Sequence, residues 1–325
     1  MKKKQINIKD VAKLANVSTA TVSRFLHGEM NRMSKDTAVQ VKNAIEKLNY
    51  VPNAAARQLI TSKSKTIAII VVNISDAFST ELFRGACSTL EPAGYVTVML
   101  NTNSNQRREN QLINAVGLNT YDGLILQPLG SDVATIQREI RREMPIVTLD
   151  RSLIKSPWPQ ILSNNYEASF EAGQYFKKAG YENVIVLSSP ISIASTRKER
   201  LRGVKDVFPN VSIIEIDEEQ YDRQNILSRI HQLLAQTTQK TLLFSLKERW
   251  LLEFLPSLAK EMDELTSKIQ ISGFADTNLV SAIWPEAKMI IQDPFEMGKQ
   301  AGSRLLELLG EKEDTKLVTK VATKF

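Results

Sequence analysis

The stretch Asn7-Ile8-Lys9-Asp10-Val11-Ala12-Lys13-Leu14-Ala15-Asn16-Val17-Ser18-Thr19-Ala20-Thr21-Val22-Ser23-Arg24 contains two helix starts in close succession. Asn7 followed three residues later by Asp10 has the spacing of a capping box, and Ile8, Val11, Ala12 and Ala15 then fall on one helical face. Ser18 can cap a second helix. Val17 before that cap and Val22 at the fourth helical position form a hydrophobic staple, and Gly28, after His27, is placed to end the helix. Ser34 with Thr37 opens a third, in which Ala38, Val41, Ile45 and Leu48 recur at three- and four-residue spacing. Three short helices, the first two joined by a tight turn around Asn16-Val17, describe a helix-turn-helix.

Charge is unevenly distributed around this motif. Residues 1–65 hold thirteen Lys and Arg against four carboxylates, whereas the other 260 residues carry 29 basic and 32 acidic groups. A basic head on a slightly acidic body points to a polyanion partner for the head, because clustered cations gain from counterion release at phosphates. In the second helix Val22 and either Phe25 or Leu26 face the small core. That leaves Thr19, Ala20, Ser23 and Arg24 outward at the helix start, where recognition helices meet base edges. Arg24 can pair bidentately with a guanine edge, and Thr19 and Ala20 can touch a thymine methyl or another base edge. Taken singly, these residues read equally as exposed helix positions.

The run Ile8-Lys9-Asp10-Val11-Ala12, the run Val17 to Arg24, and Leu48-Asn49-Tyr50-Val51-Pro52-Asn53-Ala54-Ala55-Ala56-Arg57-Gln58-Leu59 together resemble the head and hinge of the LacI/GalR family of bacterial transcription regulators. The resemblance implies a DNA-binding domain over residues 1–62 with a hinge helix at about 53–60. That helix would order on operator DNA, with Asn53, Ala56 and Leu59 as its contacts and Leu59 as an apolar wedge in the minor groove. On the residues alone, Pro52 followed by Asn53-Ala54-Ala55-Ala56 is a helix start too short to be stable by itself, and Leu59 and Ile60 read equally well as core contacts.

The 325 residues have room for two or three domains, and 42% hydrophobic with 24% charged residues describes a globular chain. No apolar run reaches membrane-spanning length and no apolar signal core follows Met1, so a cytoplasmic protein without a membrane partner is expected. One cysteine, Cys87, and two histidines, His27 and His231, remove Cys/His zinc sites, and neither histidine lies in a nucleophile-elbow context. Neither G-x-G-x-x-G nor G-x-x-x-x-G-K-[ST] occurs. No enzyme and no cofactor is expected.

Beyond the polar linker Ser62-Lys63-Ser64-Lys65, strand-like runs alternate with amphipathic stretches. They lie at Thr66–Val72, Tyr95–Leu100, Gly123–Gln127 and Pro145–Leu149, then at Asn183–Leu187, Val211–Ile216, Thr241–Phe244 and Ile269–Gly273. Repeated βα units predict an α/β body over 63–325. It comprises two doubly wound parallel-sheet subdomains, with the Ser-, Pro- and Asn-rich 150–164 segment as the crossover and Leu317–Phe325 as a terminal strand without heptads. The resemblance agrees, since the family's body is similar to periplasmic sugar-binding proteins and normally dimerises.

A ligand cleft is expected beyond the strand ends, with Phe78, Ser79, Gln127, Asp150, Asp276 and Gln292 as contacts. Arg200, three before Gly203, stands where the resemblance puts a ligand-binding arginine. The chain departs from the family pattern at two places. Leu246-Lys247 replaces the usual Asn-Asp, and Ala275 replaces an acid, with Asp276 next to it. Two lost acceptors and one gained cation predict a positive cleft and an anionic ligand such as a sugar acid or sugar phosphate, with a sugar acid expected, held by Lys247 and Arg200 and walled by Trp250; Lys247 reads equally as a solvent-facing residue. The expected protein is a homodimeric repressor of carbohydrate-use genes on a near-palindromic double-stranded operator, controlled by that small-molecule effector. Its rivals are a regulator of the same fold controlled by a partner protein and a sugar-binding protein without a DNA function.

Overall fold

The computed structural model describes residues 6–26, 28–50, 63–130, 132–259, 269–310 and 317–325. The chain divides into two compact units, 1–64 and 65–325. In the first, helix α1 (Ile8–Leu14) opens on the capping box read above. The Asn7 side chain accepts the Lys9 amide at 2.9 Å, and Asp10 accepts the Asn7 amide at 2.9 Å. Asn16 takes a left-handed backbone with φ +50° and turns the chain into α2 (Thr19–Leu26). Ser34 caps α3 (Lys35–Leu48) through the Thr37 amide at 3.1 Å. Val11, Val22 and Val41, one from each helix, are fully buried at the centre. Each such side chain contributes about 1.5–3 kcal/mol to a core this small.

The second unit contains two parallel sheets, as the alternating pattern requires. The first consists of β1 (Thr66–Val71), β2 (Val96–Asn101), β3 (Gly123–Leu126), β4 (Ile146–Leu149), β5 (Gln160–Ser163) and β11 (Val318–Val321), in the order β11-β5-β4-β3-β1-β2. The second consists of β6 (Asn183–Ser188), β7 (Val211–Glu215), β8 (Thr241–Ser245), β9 (Ile269–Ala275) and β10 (Lys288–Ile291), in the order β10-β9-β8-β6-β7. All strand pairs within the sheets are parallel. Central strands such as β1, with Ile67 to Val71 all buried, are covered on both faces. Ile67 and Ile69 join one cluster and Ala68 and Ile70 the other, as two-residue periodicity demands.

The segment expected as a crossover first supplies β5 to the first sheet, and the chain passes to the second at Asn164. It returns after β10 through the helix Pro294–Leu309. It runs back once more after β11, where Lys324 and Ile291 exchange backbone hydrogen bonds at 2.7 and 2.9 Å. Among the described residues no helix is long and apolar enough to cross a membrane.

Helix Pro294–Leu309 lies against helix Ala77–Leu90 in the first lobe through small residues. A Cβ placed on Gly298 would overlap the Leu82 carbonyl, and one on Gly85 the Phe295 carbonyl. Both obstacles are backbone, which relaxes poorly. Gly298→Ala should therefore cost about 1–3 kcal/mol of stability, read as a lowered midpoint in urea unfolding. An unchanged midpoint contradicts the close packing.

Candidate functional site

In the head, the Ser18 hydroxyl accepts the Thr21 amide at 3.1 Å and so fixes where α2 begins. Val22 points into the core, and both Phe25 and Leu26 pack against it rather than one of the two. The opposite face carries Thr19, Ala20 and Arg24, all exposed, with Ser23 half-buried beside them. Asn53, Ala56 and Leu59 lie outside the described residues.

In the body a cavity of about 310 Å³ opens where the carboxyl ends of the two sheets face one another. That is where βα loops must gather in open parallel sheets. From the first lobe come Asp76, Phe78 and Ser79 after β1, Ser104 after β2, Gln127 and Leu129 after β3, and Asp150 and Arg151 after β4. From the second come Thr196, Arg197 and Arg200 on helix Ser195–Lys205, Asp217 to Glu219 after β7, Leu246 to Glu248 after β8, Asp276 after β9 and Gln292 after β10.

Arg200 organises the floor of the cavity. Its Nε donates to Asn165 Oδ1 at 2.7 Å, Nη1 to the Leu246 carbonyl at 2.6 Å and Nη2 to Gln292 Oε1 at 2.7 Å. The guanidinium also lies over the Phe274 ring, 3.8 Å from its centre. Burial pulls Arg200 down to about 10, against the support of Asp150 and Asp276, so it remains a cation at neutral pH. Gln292 passes the chain of bonds to Asp276, donating to its Oδ1 at 2.7 Å. Burial pushes the Asp276 carboxyl up to about 7. Arg200 opposes that rise and Glu248 adds to it. Glu248 is itself raised by burial while accepting the amides of Asp276 and Thr277, each at 3.0 Å.

On the other lobe, Gln127 accepts the Val72 amide at 3.0 Å and donates to Asp150 Oδ2 at 3.0 Å, with the Ser79 hydroxyl 3.4 Å away. Asp150 holds a left-handed backbone, φ +67°, in which a residue other than glycine is strained and which persists only because its surroundings fix it. Lys247 bridges the lobes, 3.1 Å from Asp76 on one side and 3.3 Å from Glu218 on the other. Glu218 also meets Arg197 at 3.1 Å and Arg249 at 3.5 Å. Burial pushes its carboxyl up, but Lys247, a Ser189 hydrogen bond and Arg197 outweigh that and hold it below its ordinary value.

Of the nine residues expected at the cleft, eight line this cavity: Phe78, Ser79, Gln127, Asp150, Arg200, Lys247, Asp276 and Gln292. Trp250 does not. It is fully buried in the second lobe's core against Tyr221 and Phe254, with its indole N–H given to the Ser189 hydroxyl at 3.1 Å. Lys247 is the extended residue before helix Glu248–Leu258, φ −146°, so helical phase does not carry from Trp250 back to it. Nor is the cleft the positive one expected from Lys247. Among the described residues seven lining carboxylates face four lining cations, and Lys247 is already held by two of those carboxylates. Asp76, Arg151, Arg197 and Glu218 escaped sequence reasoning. A signal existed for Arg197, one helical turn before Arg200, and for Arg151, immediately after Asp150.

The signature described as "Bacterial regulatory proteins, lacI family" matches residues 7–53, and that of "Periplasmic binding proteins and sugar binding domain of LacI family" matches residues 64–236. Over 317 residues the chain is 29% identical to the HTH-type transcriptional regulator KdgR of Bacillus subtilis (strain 168), covering 94% of this chain and 93% of that one. It is similar to the solved LacI transcriptional regulator from Lactobacillus brevis, with TM-score 0.76 and 38% identity over 80% of this chain and 98% of the other. The lac repressor dimer bound to operator and the anti-inducer ONPF aligns with TM-score 0.84 over 99% and 97% of the two chains, a likeness of fold at 20% identity.

The raised Asp276 carboxyl gives the cleft a pH signature. A proton held to about pH 7 in the folded chain is released near 4 in the unfolded one, so this group's stabilising contribution is lost as pH rises between those values. Replacement by asparagine removes that dependence. The melting temperature of Asp276→Asn relative to the parent should shift in the variant's favour from pH 5 to pH 8, and a pH-independent difference contradicts the assignment.

Proposed function

The chain belongs to the LacI family of bacterial regulatory proteins, and from that we propose a homodimeric repressor of carbohydrate-use genes, released from or tightened on a near-palindromic operator by a sugar acid in the cleft. As a member of that family it is a DNA-binding transcription regulator and not an enzyme. Thr19, Ala20, Ser23 and Arg24 read bases in the major groove. Asn53, Ala56 and Leu59 engage the minor groove between half-sites.

The observation that carries the effector reading is the lining of the cavity. Its volume lies at the small end of ligand pockets, about 300–1,000 Å³, suited to a single sugar ring. Asp150, Asp276, Gln127, Gln292 and Ser79 offer acceptors and donors for hydroxyls, and Phe78 an apolar wall. Four cations from both lobes suit a carboxylate: Lys247 by exchanging a protein carboxylate for the ligand's, Arg200 from the floor. Closure on such a ligand changes the body's equilibrium between states, and the operator and the effector then alter each other's affinity by the same factor.

Two measurements test this reading. In thermal unfolding against neutral sugars, sugar phosphates and sugar acids, a true ligand at a hundred times its Kd adds about 2.7 kcal/mol, a shift of several degrees. The shift should appear with sugar acids such as hexuronates or 2-keto-3-deoxygluconate, and a shift with neutral sugars alone overturns the sugar-acid part. On a duplex selected by the protein from a random pool, Arg24→Ala should weaken binding by about 1–3 kcal/mol while scrambled duplex is unaffected. Equal weakening of both removes Arg24 from base reading.

A further inference from the structure

Three arginines converge on the cavity from two directions: Arg151 from the first lobe, Arg197 and Arg200 from the second. They lie within reach of one another's fields. Burial first, and the charge of Arg151 next, lower the Arg197 pKa, and Arg200 also feels both neighbours. Like charges gathered where water is scarce favour an anion between them.

The four cavity cations differ in what they already hold. Lys247 has Asp76 and Glu218, Arg197 has Glu218 and the Pro190 carbonyl, and Arg200 has its three acceptors. Arg151 gives Nη1 to the Leu129 carbonyl at 2.6 Å, but its Nε is buried with no hydrogen-bond partner among the described residues. Its side chain is only 10% exposed. Asp150 Oδ2 forms an ion pair with that Nε at 3.8 Å, beyond hydrogen-bond length, while accepting from Gln127. A guanidinium cannot shed its proton to escape this, and an unmet buried donor is costly.

The geometry points to Arg151 as the residue that reads the effector's negative charge, its Nε edge taking the ligand carboxylate; the assignment rests on the sugar-acid reading above. A carboxylate accepts from Nε and one Nη together, supplies the missing acceptor and neutralises charge contributed by both lobes. A hydroxyl at the same place supplies an acceptor but no charge. Arg151 is thus a specificity-determining residue, separating a sugar acid from the neutral sugar of the same stereochemistry.

Calorimetric titration of the full chain with two matched pairs, D-galacturonate with D-galactose and D-glucuronate with D-glucose, tests this in the parent, Arg151→Gln and Arg151→Met. The parent should prefer the acid of at least one pair. In both variants acid affinity should fall about tenfold or more while neutral-sugar affinity falls less, so that the preference collapses. A folded variant that keeps the parent's acid-to-neutral ratio overturns the role of Arg151 while the sugar-acid reading stands. If neither variant folds, Arg151 serves the fold and the proposal is overturned. Failure of the parent to prefer either acid overturns this assignment together with the hexuronate form of the sugar-acid reading.

Discussion

One buried guanidinium sets the geometry on which the effector lobes depend. Arg200 binds Asn165, immediately after the first passage between lobes, and Gln292, immediately before the second. The third passage is tied to the first, since the Asn164 side chain accepts the Thr323 amide at 2.9 Å. A charge this deeply buried is tolerated only with its donors satisfied, which holds the crossing segments to one arrangement. The same residue faces the cavity, so the group that fixes the passages also feels whatever occupies the cleft.

The contacts across the cleft divide into two kinds. Ser152 donates its amide to the Ser195 hydroxyl at 3.0 Å, a neutral tie close to the passages. Lys247 instead joins Asp76 to Glu218 through charge, and the three side chains retain 15–23% exposure. Breaking pairs so little exposed is costly unless another anion takes the carboxylate's place at Lys247. An anionic ligand competes with such a bridge, whereas a neutral sugar leaves it intact. In the proposed function that difference adds to the charge reading assigned to Arg151, and a cleft in which carboxylates outnumber cations is compatible with an acidic ligand because the carboxylates are committed, Glu248 to the 276–277 loop and Glu218 to three cations.

Much of this was legible in the sequence where the signal is local. The caps at Asn7, Ser18 and Ser34 lie within three residues of the groups they satisfy, and the strands of the sheet interiors are continuous apolar runs. Parallel topology alone placed the cleft at the strand ends, which is why Gln127, Asp150, Asp276 and Gln292 could be named. Strand β5 was hidden because its four residues sit among Ser156, Pro157, Pro159 and Asn164, punctuation that reads as a loop. The charge balance was hidden for another reason. The partners of Lys247 come from remote loops, and no periodicity connects Asp76 or Glu218 to it. Trp250 was misplaced because the extended backbone of Lys247 breaks the helical phase.

The central claim is that occupancy of the cleft and grip on the operator are one equilibrium. Its most direct test is fluorescence anisotropy of a duplex selected by the protein, titrated with the full chain at saturating D-galacturonate, 2-keto-3-deoxygluconate or D-gluconate and without any of them. The account predicts that at least one acid moves the operator midpoint by about fivefold or more. An acid that binds the protein yet leaves the midpoint where it was contradicts it.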